Sequence, residues 1–168
     1  MNQESIALMK QLDTLDSRAR VRLLSSVDQQ RNELLAVLLQ HVGGAASKDV
    51  QASAMYLIGR HRLPGGVDAL MTRIDFEDAP PPVPSAEPLW ERYPAMEALI
   101  TLGKPSIPAA LNLLATEDND LRRRLAAKVI QYVEDAELAK FILQRATSRE
   151  TDQQRQMRLA DAVHLIEP

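Results

Sequence analysis

Three histidines, two clusters of carboxylates and three groups of arginines are the side chains of this 168-residue sequence whose types could do chemistry. Histidines would act as metal ligands or as a general base. His41, His61 and His164 lie far apart, however, and neither a His-Glu pair nor a His-x3-His spacing occurs. They read as surface or helix-end residues. The carboxylates Asp75, Glu77 and Asp78, and then Glu117, Asp118 and Asp120, would support acid–base chemistry if one were buried with a raised pKa. Both clusters fall in turns between apolar segments, where helix capping accounts for them. The arginines Arg18, Arg20 and Arg22, then Arg60 and Arg62, then Arg122, Arg123 and Arg124 would contact a polyanion if they formed one stripe. Formal net charge is −3 with a pI near 5.6, and no aromatics interleave with them, so nucleic acid is disfavoured as a partner. Solvated faces and ion pairs explain them better. There is no cysteine, and no Gly-x-Ser-x-Gly, Gly-x-Gly-x-x-Gly or phosphate-loop motif. The expectation is a protein with no catalytic residues, no metal and no cofactor.

The elements that must position these side chains are helices. Leucine (24) and alanine (22) exceed a quarter of the chain, six residues are aromatic, and long period-2 runs are missing. Ile6, Met9, Leu12 and Leu15 form an amphipathic stripe; Val21, Leu24 and Val27 form another, followed by Leu34, Leu35, Leu38, Leu39 and Val42. Gly43-Gly44 and Pro64-Gly65-Gly66 stop helices. Gly103-Lys104-Pro105 stops another that begins near Pro94. Asp118-Asn119-Asp120 supplies an N-cap before Leu121, and Glu134-Asp135 separates the next pair. Helices of 10–15 residues with very short turns imply antiparallel neighbours. No apolar run reaches the roughly 18–20 residues of a membrane helix, so no membrane partner is expected. The lack of cysteine fits a reducing, cytoplasmic setting.

Self-similarity is the informative feature. Ala54-Met55-Tyr56-Leu57-Ile58 aligns with Ala95-Met96-Glu97-Ala98-Leu99 and with Ala126-Ala127-Lys128-Val129-Ile130. Spacings from Leu24 to Ile58, Leu99, Ile130 and His164 are 34, 41, 31 and 34. A second column follows: Val67, Leu70, Met71 and Ile74; then Ile107, Ala110, Leu111 and Leu114; then Leu138, Phe141, Ile142 and Arg145. Each unit is thus two helices that cannot bury their apolar faces alone, and stacking supplies one continuous core. The expected fold is all-α, an α-solenoid of antiparallel helix pairs in a single domain. Its units fall at approximately 14–43, 48–75, 90–116 and 120–147, with a partial one at 152–168. Five of the ten prolines lie between residues 80 and 88, so 77–88 is expected to be a proline-rich loop between units. His164 falls in an apolar column, so the last helix is either a cap or out of register.

The phrase Ala95-Met96-Glu97-Ala98-Leu99-Ile100-Thr101-Leu102-Gly103-Lys104-Pro105, with Ile107-Pro108-Ala109-Ala110-Leu111, resembles the HEAT-repeat family in its short bacterial, armadillo-like form. Asn119-Asp120-Leu121-Arg122-Arg123-Arg124-Leu125-Ala126-Ala127 is similar to the family's usual junction. The likeness covers about residues 49–145. It implies a non-enzymatic scaffold or adaptor that presents a rigid helical surface to a protein or peptide partner. The resemblance is also compatible with an accessory or lyase-type role, as in bilin lyases, and with nucleic-acid binding, as in HEAT-like DNA glycosylases. No lyase motif is present, and the His-Glu pairs with which HEAT-like hydroxylases hold iron are absent. In the register above, the outward positions of the second helices include Asp68, Thr72, Asn112, Lys140 and Gln144, a mixed polar row suited to a protein partner. Trp90, Arg92 and Tyr93 are of the types enriched at binding hot spots. Anchoring of the proline loop is their preferred role, and they stand as further candidates for binding.

Overall fold

The computed structural model describes residues 17–78 and 92–167, and these are helical, with no strand among them. The stripe at Ile6–Leu15, Trp90 and most of the proline segment 77–88 lie outside the described residues. The chain divides after Ala36 into two units.

The first unit holds most of α1 (Ser17–Val42). The two stripes expected around Val21–Val27 and Leu34–Val42 share this one uninterrupted helix, where a pair had been expected. The polar stretch Asp28–Glu33 between them contains no glycine or proline, and polarity alone does not stop a helix. Leu24, the first member of the apolar column, is 45% exposed, and no side chain among residues 22–37 is buried.

The second unit contains the core. Its helices are α2 (Lys48–Arg60), α3 (Val67–Thr72), α4 (Pro94–Leu102), α5 (Ile107–Thr116), α6 (Asp120–Glu134), α7 (Ala136–Arg149) and α8 (Gln153–Ala162). Local signals set their ends. Ser47 caps α2 by accepting from the Val50 N–H, Asn119 caps α6 from Arg122, and Asp152 caps α8 from Arg155. Pro94 opens α4, and Gly103, at φ +77°, closes it. Asp135 both ends α6 and caps α7 through Leu138, with φ +81° and ψ 166°. That is a backbone region nearly reserved for glycine. Three-residue 3-10 turns at Pro64–Gly66 and Lys104–Ser106 join α2 to α3 and α4 to α5. In the second, the buried Ser106 hydroxyl donates to the Leu99 carbonyl at 2.8 Å, so its polar atom is satisfied.

The helices from α2 to α6 pack in two short rows. α2 lies against α4 and α4 against α6, while α3 lies against α5; α3 also meets α4, and α5 meets α6. Ala54, Ala95 and Ala126 are buried, as are Ile58, Leu99 and Ile130, so both equivalent positions of the first helices point into the core. Small residues there let the backbones approach. At Gly59 the approach leaves no room for a side chain: a Cβ on it would lie 2.7 Å from the Ala98 Cα.

Two expectations fail toward the C-terminal end. The stripe Leu138, Phe141, Ile142 and Arg145 does not face inward on α7. Ala139 and Leu143 are buried, while Leu138 is 40% and Phe141 56% exposed. α7 packs on α6 and α8, and it is α8 that lies against α5. The buried face is therefore turned by one residue, about 100° around the helix. Arg145 in an otherwise apolar column already pointed away from that stripe. His164 is exposed, and Leu159, Ala162 and Ile166 are buried in its place. The true offset is 33 residues, which sets Glu150, Asp152 and Arg155 over Glu117, Asn119 and Arg122.

Candidate binding grooves

Asp68 and Thr72 stand one turn apart on α3, and Asn112 holds the place of Thr72 on α5. All three line one open groove of about 300 Å³ floored by Met71 and Leu113. Thr72 donates its hydroxyl to the Asp68 carbonyl at 2.9 Å. The rim is fixed by Arg122 at the start of α6. Its Nε donates to Glu117 Oε2 at 2.7 Å, and its Nη1 to Asp75 Oδ1 at 2.6 Å and to the Thr72 carbonyl at 3.2 Å. Arg122 therefore caps the C-terminal end of α3, where a cation meets the negative end of the helix dipole. It also joins the two carboxylate clusters seen in the sequence. The same device recurs 33 residues on: Arg155 Nε donates to Glu150 Oε2 at 2.9 Å, and its Nη2 reaches Asn112 Oδ1 at 3.2 Å. Arg158 pairs with Asp118.

The remaining candidates separate from this groove. Lys140 is half-buried on the turned α7, with Glu137 Oε1 at 3.6 Å, and Gln144 is exposed; neither lines the groove. Tyr93 is buried at the start of α4. Burial, with the Glu77 charge next, pushes its phenol above the ordinary value. Arg92 is exposed, and its carbonyl accepts from the Asp78 N–H at 3.0 Å. Arg122 and Arg123 are engaged in intramolecular ion pairs, Arg123 with Asp161 at 3.0 Å, while Arg124 is exposed. All three histidines are exposed, and no cluster able to hold a metal occurs among the described residues.

No family model, curated protein or solved structure matches this chain.

Sequence reasoning missed a larger groove of about 660 Å³ between α2 and α4. Arg60, Arg62, Tyr56 and Glu97 line it, with Leu57 and Ala98 as apolar surface. Burial raises the Glu97 carboxyl above the usual carboxylate range. The 41-residue spacing already set Tyr56 beside Glu97 and Arg60 beside Thr101. Only the close crossing at Gly59 and Ala98 turns those pairs into one cleft.

The Glu–Arg latches give stability a defined acid dependence. Hydrogen bonds from the Asn119 N–H first, and then from Arg122 and the Asp118 N–H, hold the Glu117 carboxyl below its ordinary range. The Arg155 side chain and then the Asp152 N–H do the same for Glu150. A depressed folded value contributes stability that is full above the unfolded value, about 4.3 for glutamate, and is lost as pH falls through the folded one. Glu97 has the opposite sign, since its raised value favours folding in acid. Urea unfolding followed between about pH 3 and 7 should show stability falling below about pH 4.5. The Glu117→Gln/Glu150→Gln variant should be less stable at neutral pH and flatter in acid. An unchanged slope in that variant would remove the latches from the account.

Proposed function

We propose that this chain is a non-enzymatic interaction module of the HEAT-like α-solenoid kind, whose α3–α5 groove receives a protein or peptide partner. The observation that carries this reading is the convergence of Asp68, Thr72 and Asn112, from two neighbouring second helices, on one open groove with an ion-paired rim. Side chains on packed helices are ordered before a partner arrives, so little entropy is lost on binding. The packing of α2 on α4, α4 on α6 and α3 on α5 supports the solenoid arrangement over those helices. The half-buried Glu97 in the α2–α4 groove is the one feature favouring a lyase-type accessory role. That groove is open and carries two guanidiniums, which suits recognition better than proton transfer.

The test is affinity capture from the source lysate with the intact chain and with an Asp68→Lys/Asn112→Lys variant. The expected result is a protein retained by the first and reduced about 10-fold or more with the second, the scale of losing a charged contact. Equal retention would reject this face. Capture of polynucleotide alone, released by salt, would reject the module reading, since counterion release sets that dependence.

A further inference from the structure

The outer side of α7 carries apolar and charged groups that the fold leaves uncovered. α8, not α7, lies against α5, so α7 packs on α6 and α8. It turns Ala139 and Leu143 inward. At about 100° per residue, Phe141 stands about 200° from each of them, at the middle of the opposite side. Phe141 is 56% exposed, and Leu138, one turn before it, is 40% exposed. Glu137 and Arg145 flank Phe141, four residues before it and four after. The Glu137 side chain is 90% exposed, and it pairs only with Lys140 of its own helix, at 3.6 Å. Exposed pairs of this kind contribute little and leave the carboxylate open to a second cation. Arg145 is exposed, and its guanidinium makes no hydrogen bond or ion pair with the described residues.

The order acid, aromatic, base along this face is complementary to its own reverse. In a two-fold pair the same patch meets its copy, so that residue i contacts j and j contacts i. A dyad through Phe141 sets the two aromatic rings against each other. It brings Glu137 of each copy, about 6 Å along the axis, level with Arg145 of the other. Glu137 and Arg145 are turned about 40° to opposite sides of Phe141. A half-turn about the dyad reverses both the axis and the side, so each carboxylate and its opposing guanidinium fall on the same side. A parallel copy would instead set Glu137 against Glu137 and Arg145 against Arg145.

We propose that this chain self-associates as an antiparallel two-fold dimer through the outer side of α7, with Phe141 at the dyad and Glu137 paired with Arg145 of the other copy. The occupant is a second copy because the face supplies every group that its own pairing needs. Both ion pairs form beside an apolar centre that excludes water, where opposite charges attract more strongly than on open surface. One 14-residue helix from each copy makes a small contact, below about 1,200 Å² in total, so the dimer is reversible and concentration-dependent. None of these residues lines the α3–α5 groove, so the two readings stand or fall separately.

The proposal is tested by sedimentation velocity of the full chain from micromolar to near-millimolar concentration. The mean mass is expected to rise toward that of two chains. Phe141→Glu should weaken association about 10-fold or more. Glu137→Arg and Arg145→Glu should each weaken it as much, because each sets like charges across the dyad twice. An equimolar mixture of these two single variants should associate again, since every pair across the dyad is then of opposite sign. Lys48→Glu, an equal change of charge at an exposed place on α2, should leave association unchanged. Circular dichroism of each variant checks that the helices are kept. A monomer at every concentration would overturn the proposal, as would a dimer indifferent to Phe141→Glu. Failure of the two folded charge variants to associate when mixed would overturn it too, because the antiparallel pairing requires that recovery. Equal weakening by Lys48→Glu would do the same, by reducing the effect to net charge.

Discussion

Replacement of Gly59 by valine is expected to destabilise the protein by about 3 kcal/mol or more and to lower its Tm by roughly 10 °C. Glycine in a helix interior is normally a weakness: exchange for alanine gains about 1 kcal/mol of helix propensity. Here the position is buried, and a Cβ would meet the Ala98 Cα at 2.7 Å, its Cβ at 3.0 Å and its carbonyl oxygen at 3.2 Å. Backbone atoms cannot swing aside as a flexible side chain can, so α2 and α4, which pack together and carry the fully buried Met55, Ile58, Met96 and Leu99, would have to separate. Gly59→Ala should therefore also destabilise, by about 1–3 kcal/mol, despite its propensity gain. Thermal unfolding followed by circular dichroism decides the matter. A more stable Gly59→Ala variant would mean that the two helices do not cross this closely.

Arg122→Met is the second change with a large expected effect, about 2–4 kcal/mol. Methionine keeps the length and the apolar stem of the side chain but removes every donor. Glu117 and Asp75 are then left without their cation, and the Met71 and Thr72 carbonyls lose their cap. Lysine should not restore the loss, because a single ammonium cannot present the guanidinium fork to two carboxylates and a helix end at once. Arg155→Met should be milder, since Arg155 is more exposed and meets one carboxylate and one amide. A double-mutant cycle between Arg122→Met and Glu117→Gln, read by urea unfolding, should show coupling of about 1 kcal/mol or more. Additivity would mean that the ion pair contributes nothing of its own.

Much of the helical order was legible because local chemistry sets it. The cap at Asn119, the stop at Gly103 and the prolines opening α4 and the 3-10 turns follow from backbone rules that need no distant partner. The buried column Ala54, Ala95 and Ala126 was legible because close helix crossings require small side chains. Thr72 and Asn112 could be assigned to one surface because Val67 and Ile107 set the same phase for both helices. Lys140 and Gln144 could not, because the rotation of α7 depends on α8 taking its place beside α5, a contact between distant parts of the chain. α1 was divided in reading because a change of stripe resembles an end, while the backbone needs a stronger signal to break. The α2–α4 groove stayed hidden for a related reason. Its charges stand 37 residues apart in sequence, Arg60 to Glu97, and meet only through the crossing at Gly59.

The arginine latches have a consequence for cooperativity. Where each helix pair touches only its neighbours, an array can fray from an end while the rest stays folded. Arg122 reaches from α6 to the end of α3, and Arg155 and Arg158 reach from α8 to the end of α5. Each of these ties skips the helix pair between, so opening one pair strips the cap from a helix two pairs away. Melting is thereby drawn toward a single transition, and a partner that stiffens the α3–α5 groove slows the local opening of α6 and α8 along with it.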